Sequence, residues 1–163
     1  MQLSVFLHYM ISKEIEIDFE NSVGPWIGRT MKVIDYYLHE EIKLKKLDVT
    51  KEQIIILKNL FLNDGIHQNE LAFLTSRDKS SLTRLLVKME KKGYIKRKKS
   101  KEDKRINMVF ITNVGKEMFA KTRPVIQKTI DTIEKNISKK EKETMILLLK
   151  KIQTNFELTL QTL

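Results

Sequence analysis

The lysines and arginines between Arg77 and Arg105 are the residues of this sequence with the clearest capacity for chemistry. This stretch holds 13 basic and four acidic residues, whereas the chain of 163 residues has 31 Lys plus Arg and 21 Asp plus Glu, a net charge of +10. Nearly all of the excess charge therefore belongs to one segment. Such a concentration is typical of surfaces that bind nucleic-acid phosphates, although a solvated basic helix and loop would have the same composition.

The order of residues within this segment predicts a helix from Lys79 to Lys92, with Asp78 as its N-cap and Gly93 after its end. Its apolar residues recur at spacings of three and four and form one buried stripe: Leu82, Leu85, Leu86 and Met89. At 100° per residue, Ser80, Arg84, Val87 and Lys91 occupy the opposite face, flanked by Thr83 and Lys88. The pattern indicates a helix that packs on one side and contacts a partner on the other.

The residue types on that outer face suit a DNA groove. Arginine and lysine reach guanine acceptors or phosphates, short hydroxyls bond phosphates or base edges, and Val87 either meets a thymine methyl group or packs on a neighbour. The predicted DNA-binding residues are Arg77, Lys79, Ser80, Ser81, Thr83, Arg84, Val87, Lys88, Arg97, Lys99, Lys101, Lys104 and Arg105.

Two predicted strands, 94–98 and 106–111, follow the helix and form a β-hairpin wing. The connection between them is too basic to fill a core, so it is either solvated or lies along a phosphate backbone or minor groove. Asp103 and Arg105 are expected to form a local ion pair that holds the tip in shape.

The remaining helices must position this segment. A short helix over Gln68–Leu74 completes a helix-turn-helix with the helix that starts at Lys79. Capping-box patterns at 50–53 and 138–141 predict the starts of two further helices, and Thr112 that of a third. The helices predicted over about 24–46 and 112–160 carry wide apolar faces. These faces are expected to form a dimerisation platform, with an intramolecular core as the alternative.

Several classes of function are disfavoured. The absence of cysteine excludes disulfides, thiolate zinc sites and thiol redox sensors, and it fits a cytoplasmic protein. The three histidines, His8, His39 and His67, are widely separated, so no metal or other cofactor is expected. No nucleophile with a base and no phosphate-cradling loop indicates an enzyme. Residues 1–20 are expected to be an arm, because their apolar run is too short to span a membrane and is not flanked like a secretory signal.

The order of these elements and the residues within them resemble the MarR family of multiple-antibiotic-resistance regulators. The similarity covers roughly residues 24–158. It starts at 47–53, continues through 68–72 and is densest over 78–97, which reads DKSSLTRLLVKMEKKGYIKR. It then includes Asp103-Lys104-Arg105, the segment 111–115 and the helix over 141–152.

This resemblance implies a mainly α (α+β) fold, a winged helix-turn-helix with a small β-hairpin wing and a helical dimerisation region. A single domain would then span 1–163, with dimerisation helices at 24–46 and 112–160, a winged lobe at 50–111 and an N-terminal arm at 1–20. It also implies a homodimeric repressor or activator that binds double-stranded DNA at a roughly palindromic operator.

Family members commonly respond to small aromatic or anionic effectors, and Trp26 and Arg29 could line such a pocket unless Trp26 belongs to the core. Two alternatives stay open. One is a ligand-independent DNA-binding or architectural protein of the same fold. The other is a basic surface for RNA or anionic membranes, which the ordered helix-turn-helix does not require; no membrane partner is expected.

Overall fold

A computed structural model describes residues 18–156 of the chain. Within that range there are six helices and three strands. In chain order they are α1 (Val23–Leu44), α2 (Lys51–Leu62), β1 (Ile66–His67), α3 (Gln68–Leu74), α4 (Lys79–Lys91), β2 (Ile95–Lys99), β3 (Asn107–Ile111), α5 (Asn113–Ile133) and α6 (Lys139–Thr154). The expected mainly α fold with a small β-hairpin wing is confirmed. Residues 1–17 of the expected arm and the predicted helix end at Leu160 lie outside the described residues.

Helix starts follow the capping signals of the sequence. In α2, the Thr50 hydroxyl accepts the Gln53 N–H and the Gln53 side chain accepts the Thr50 N–H, which is the predicted capping box. Ser138 and Glu141 form the same reciprocal pair at α6. Thr112 caps α5 by accepting the Gly115 N–H at 3.0 Å. Local hydrogen bonding therefore sets where these helices begin.

A three-stranded antiparallel sheet in the order β1-β3-β2 replaces the expected two-stranded hairpin. The additional strand, β1, pairs Ile66 with Val109 and His67 with Met108. Two residues are too few to show the alternation that predicts a strand. The Asp64 carboxylate accepts the Ile111 N–H at 2.8 Å and so helps to hold this edge to β3.

One buried core joins α2, α3, α4 and the sheet and continues to Ile42 of α1 and Val125 of α5. We define the winged lobe as residues 49–111. Its fully buried side chains include Ile56, Leu57, Leu60, Leu71, Leu82, Leu86, Met89, Ile95 and Val109. The stripe predicted for α4 is confirmed at Leu82, Leu86 and Met89, while Leu85 is half-buried and packs at the edge of the core. Burial of this stripe fixes which side of α4 faces outward.

Contacts divide the chain into two units, with the boundary between Asp35 and Tyr36 inside α1. In the second unit, α5 follows β3 directly, and Gly115 lies so close to the Tyr94 carbonyl oxygen that an added Cβ would be 2.1 Å from it. The buried Glu41 carboxylate pairs with the Lys128 ammonium at 2.8 Å and ties the end of α1 to α5. None of the helices within residues 18–156 has the length and apolarity needed to cross a membrane.

Candidate nucleic-acid interface

The start of α4 is fixed by Asp78, whose carboxylate accepts the Ser81 N–H at 2.9 Å. Hydrogen bonds from Ser81 lower the pKa of Asp78, so the capping carboxylate stays ionised. The predicted N-cap is confirmed. The capped N-terminus and the buried apolar stripe together fix how α4 is rotated about its own axis against the rest of the lobe.

The face of α4 opposite the stripe is accessible. Lys79, Ser80, Arg84 and Lys88 are exposed, and Val87 is half-buried. Exposed guanidinium and ammonium groups on one helix face supply donors for phosphate oxygens and for guanine O6 and N7. The partial burial of Val87 leaves both of its proposed roles, packing and contact with a thymine methyl group, compatible with the structure.

A polar cleft of about 370 Å³ lies between this face and the start of α2. It is lined by Thr50, Glu52, Gln53, Arg77, Ser81, Arg84, Leu85 and Lys88. Burial raises the pKa of Glu52, but the hydrogen bond from the Thr50 hydroxyl at 2.7 Å and the charges of Arg77 and Lys51 outweigh that effect and lower it. Glu52 is an acidic member of this surface that the sequence analysis missed, because it precedes the basic segment by 25 residues.

Thr83, one of the predicted DNA contacts, makes two hydrogen bonds within the lobe. Its hydroxyl donates to the Lys79 carbonyl at 2.7 Å and accepts the Gln68 side-chain N–H at 2.9 Å. The hydroxyl proton is therefore used inside the lobe, and Thr83 links α4 to the first residue of α3. The sequence analysis missed Gln68, because nothing in the spacing of a polar residue at a helix start signals a contact 15 residues further on.

The tip of the wing carries four exposed basic residues from the predicted set: Lys99, Lys101, Lys104 and Arg105. The expected ion pair between Asp103 and Arg105 is not formed within the described residues. Instead, the Asp103 carboxylate accepts the Arg105 backbone N–H at 2.8 Å. A carboxylate that bonds the backbone two residues on is a common turn-forming contact. It shapes the tip and leaves the Arg105 guanidinium to project from it.

Arg97 also departs from the prediction of a DNA contact. Its guanidinium donates from Nε and Nη2 to the Glu90 carboxylate, at 3.1 and 2.7 Å. This forked ion pair occupies the Nε edge of the guanidinium, one of the edges that could bind a phosphate. The structure thus separates Arg97 from the exposed cations of the wing.

The two residues expected at an effector pocket, Trp26 and Arg29, lie in the first unit. The Trp26 indole N–H donates to the Glu20 carbonyl at 2.7 Å, and Arg29 pairs with the Glu20 carboxylate at 3.0 Å. The Arg29 guanidinium also lies 5.4 Å from the Trp26 ring centre. Both side chains are exposed and packed against each other.

A separate apolar groove of about 730 Å³ lies in the second unit. Its lining is formed by Leu38, Ile54, Ile55, Phe119, Pro124, Ile126 and Ile130, together with Gln127, Lys51, Lys58 and Arg123. Apolar walls with a few charged donors match small amphipathic anions. Within residues 18–156, no group of three or more His, Asp or Glu side chains is placed to hold a metal ion.

The short helix α3, the outward-facing α4 and the wing define a winged helix-turn-helix, a fold of many DNA-binding transcriptional regulators. Comparison with known proteins refines this class. The sequence model of the MarR family matches residues 49–106, from the buried Val49 before α2 through the tip of the wing. Over these residues the chain is similar to the MarR family, as the resemblance of its sequence predicts.

Relatives extend the similarity beyond the lobe. The HTH-type transcriptional regulator SarZ of Staphylococcus haemolyticus is 29% identical over 157 residues, which cover 94% of this chain and 90% of SarZ. An uncharacterized HTH-type transcriptional regulator of Bacillus subtilis, YybA, is 28% identical over 137 residues, 84% of this chain and 90% of YybA. A mutant MarR of E. coli, crystallised with operator DNA, has a TM-score of 0.75 at 28% identity, over 80% of this chain and 92% of that one. These relatives and the family are regulators rather than enzymes.

Proposed function

We propose that the protein regulates transcription as a homodimer that binds a roughly palindromic operator through α4 and the wing. The orientation of α4 carries this proposal. Its buried stripe and the Asp78 cap direct Arg84 and Lys88 away from the core, on a helix face that suits a major groove. The similar mutant MarR of E. coli, which was crystallised with operator DNA, supports operator DNA as the partner.

The candidate residues divide by chemistry. We assign base-edge and nearby phosphate contacts to residues of the cleft and α4: Arg77, Lys79, Ser80, Ser81, Arg84, Val87 and Lys88. We assign backbone or minor-groove contacts to the wing residues Lys99, Lys101, Lys104 and Arg105. Base contacts select the sequence, whereas phosphate contacts set affinity and its dependence on salt.

Exposed apolar side chains support a homodimer. Helix α6 buries none of its residues in the single chain, yet five consecutive apolar residues, Met145 to Leu149, are between 39% and 67% exposed. Monomeric proteins rarely leave so many adjacent apolar side chains in water. We infer that a second copy of the chain buries these residues, because a palindromic operator requires two recognition helices that fit half-sites about one DNA turn apart.

We assign the apolar groove beside α5 to a small effector that carries an aromatic or aliphatic body and an anionic group. Arg123 and Lys58 would pair with the anion, and Phe119 with the body. Because α5 connects the lobe to the following helix, a molecule held there could change the spacing of the two lobes of a dimer. A regulator of the same fold that acts without an effector is the alternative.

Selection of bound sequences from a random DNA pool tests the DNA-binding proposal. We expect an inverted repeat to be enriched, whereas uniform recovery of all sequences would contradict it. Arg84→Ala should relax the preferred base at one position of each half-site. Lys101→Ala is the matched control, because it should weaken operator and random DNA alike and reduce the salt slope by about 0.9.

Titration with a panel of small aromatic acids tests the effector proposal. We expect at least one acid to release DNA from the wild type and to fail with Arg123→Gln. Lys121→Gln, an exposed cation of the same helix outside the groove lining, is the control. Release that is equally lost in both variants would contradict the assignment of the effector to this groove, and no release from the wild type by any acid would favour the ligand-independent alternative.

A further inference from the structure

Glu90 and Arg97 make an unusually complete contact between α4 and the wing. Besides accepting from the Arg97 guanidinium, the Glu90 carboxylate accepts the backbone N–H of Arg97 through Oε1 at 3.1 Å. One carboxylate thus holds both the side chain and the backbone of the same strand residue. Such a contact restrains position more than an ion pair between two flexible side chains does.

The two residues belong to the two elements proposed to contact DNA. Glu90 lies in the last turn of α4, and Arg97 is the central residue of β2. Arg97 is paired across the sheet with the buried Val109 and lies on the same face as the buried Ile95. Its guanidinium therefore emerges at the edge of the core beside α4, whereas Lys96 and Lys98 alternate to the other face and are exposed.

Arg97 differs from the other basic residues of the wing because it is paired with a carboxylate and is less exposed. The Arg97 side chain is 24% exposed and the Glu90 side chain 38% exposed. A phosphate that bound the Nε edge of Arg97 would displace the carboxylate, and one that bound the Nη1 edge would lie beside the Glu90 charge. The other basic residues of the wing tip can bind phosphate without that cost.

We propose that Glu90 and Arg97 are a positioning pair that fixes the angle between the wing and α4, and that Arg97 is not a phosphate contact. This inference rests on the proposed use of α4 and the wing as one DNA-binding surface. If two elements must meet the groove and the backbone together, holding them in one relative orientation reduces the conformational entropy lost on binding. A carboxylate in the basic segment then increases DNA affinity, although its charge alone would decrease it.

Salt titrations of DNA binding distinguish a positioning pair from a phosphate contact. We expect Glu90→Gln, Glu90→Ala and Arg97→Ala each to weaken operator binding roughly tenfold without altering the base preference or the salt slope. Arg97→Lys should restore little, because an ammonium cannot form the fork. The double variant Glu90→Ala/Arg97→Ala should lose no more than either single variant.

Two controls bracket these results. Lys98→Ala removes an exposed cation of the same strand and should reduce the salt slope, whereas Glu102→Gln removes an exposed carboxylate of the wing and should leave affinity unchanged or raise it. If Arg97→Ala reduces the salt slope by about 0.9 and Glu90→Gln tightens binding, Arg97 is a phosphate contact and the proposal is overturned.

Hydrogen exchange of the free protein tests the pair without DNA. In Glu90→Ala, the Arg97 amide and those of β2 should exchange faster than in the wild type, while amides in α2 stay protected. Unchanged exchange in β2 would overturn the positioning pair even if DNA binding is normal. Faster exchange in a protein that selects no DNA sequence would support the pair and contradict the proposed function.

Discussion

The winged lobe and α6 use similar apolar residues with opposite results. In the lobe, Leu82, Leu86 and Met89 of α4 are fully buried in the core. In α6, Leu148 and Leu149 remain 54% and 39% exposed, and no residue of the helix, Lys139–Thr154, is buried. The difference shows that amphipathic spacing alone does not say what an apolar face packs against. The core that contains the α4 stripe is built within one chain, whereas the apolar residues of α6 stay exposed in it.

The largest effect is expected from Leu86→Ala in the lobe. Because Leu86 is fully buried, the substitution leaves a cavity and should lower the free energy of unfolding by about 2–5 kcal/mol. Chemical denaturation followed by circular dichroism measures this loss. The loss should be the same at low and high protein concentration, and a strong dependence on concentration would mean that the lobe is not self-contained.

A somewhat smaller effect is expected from Gly115→Ala, where α5 joins the lobe. The added Cβ would be 2.1 Å from the Tyr94 carbonyl oxygen, so helix or strand must shift, at a cost of about 1–3 kcal/mol. Thermal denaturation compares this variant with Lys116→Ala, which alters an exposed neighbour. Equal melting temperatures for the two variants would contradict the close approach of α5 to the wing.

Leu148→Ala makes the same leucine truncation as Leu86→Ala, but in α6. We expect little loss of unfolding free energy at high dilution and a self-association at least about tenfold weaker, because the leucine is buried only in the proposed dimer. Analytical ultracentrifugation should give a wild-type mass of twice 19.3 kDa. A monomeric wild type, or a variant that associates equally well, would contradict the role assigned to α6.

The smallest effect concerns the acid stability of the lobe. Hydrogen bonds from Arg97 lower the pKa of Glu90 in the folded protein, against the opposing effect of burial. A lowered folded pKa means that the stabilisation is complete above the ordinary value of about 4.5 and is lost as the pH falls through the folded value. On acidification, the free energy of unfolding of the wild type should therefore fall by up to about 1 kcal/mol more than that of Glu90→Gln.

Denaturation curves between neutral and acidic pH measure that difference. Arg97→Ala should flatten the profile as Glu90→Gln does, since either change removes the same pair. Profiles of wild type and both variants that fall in parallel would show that the pair does not contribute to stability.

Much of the fold was predictable because its signals are local. The capping boxes at Thr50 and Ser138, the Asp78 cap and the short helix Gln68–Leu74 are each determined by residues within one or two turns. Strand β1 was not predictable in this way. Ile66 and His67 are a strand only because β3 lies beside them.

The candidate site was predicted in outline but not in its internal pairing. Sequence reasoning grouped Arg97 with the free cations of the wing and assigned Thr83 to DNA. The alternation of Ile95 and Arg97 on one strand face was a usable signal that Arg97 turns toward the core side. No comparable signal marks Gln68 as the partner of Thr83, because their contact depends on how α3 crosses α4.

The sequence by itself determined where the helices begin, which side of α4 is apolar and where the excess positive charge is concentrated, because these properties depend on neighbours in the chain. Only the tertiary structure decided which of those charges stay free. Arg84, Lys88 and the basic wing tip are exposed, whereas Arg97 is paired with Glu90, and Asp103 bonds the backbone rather than Arg105. Pairing depends on distances of about 3 Å between groups on different elements or across a turn, which are set when the core packs.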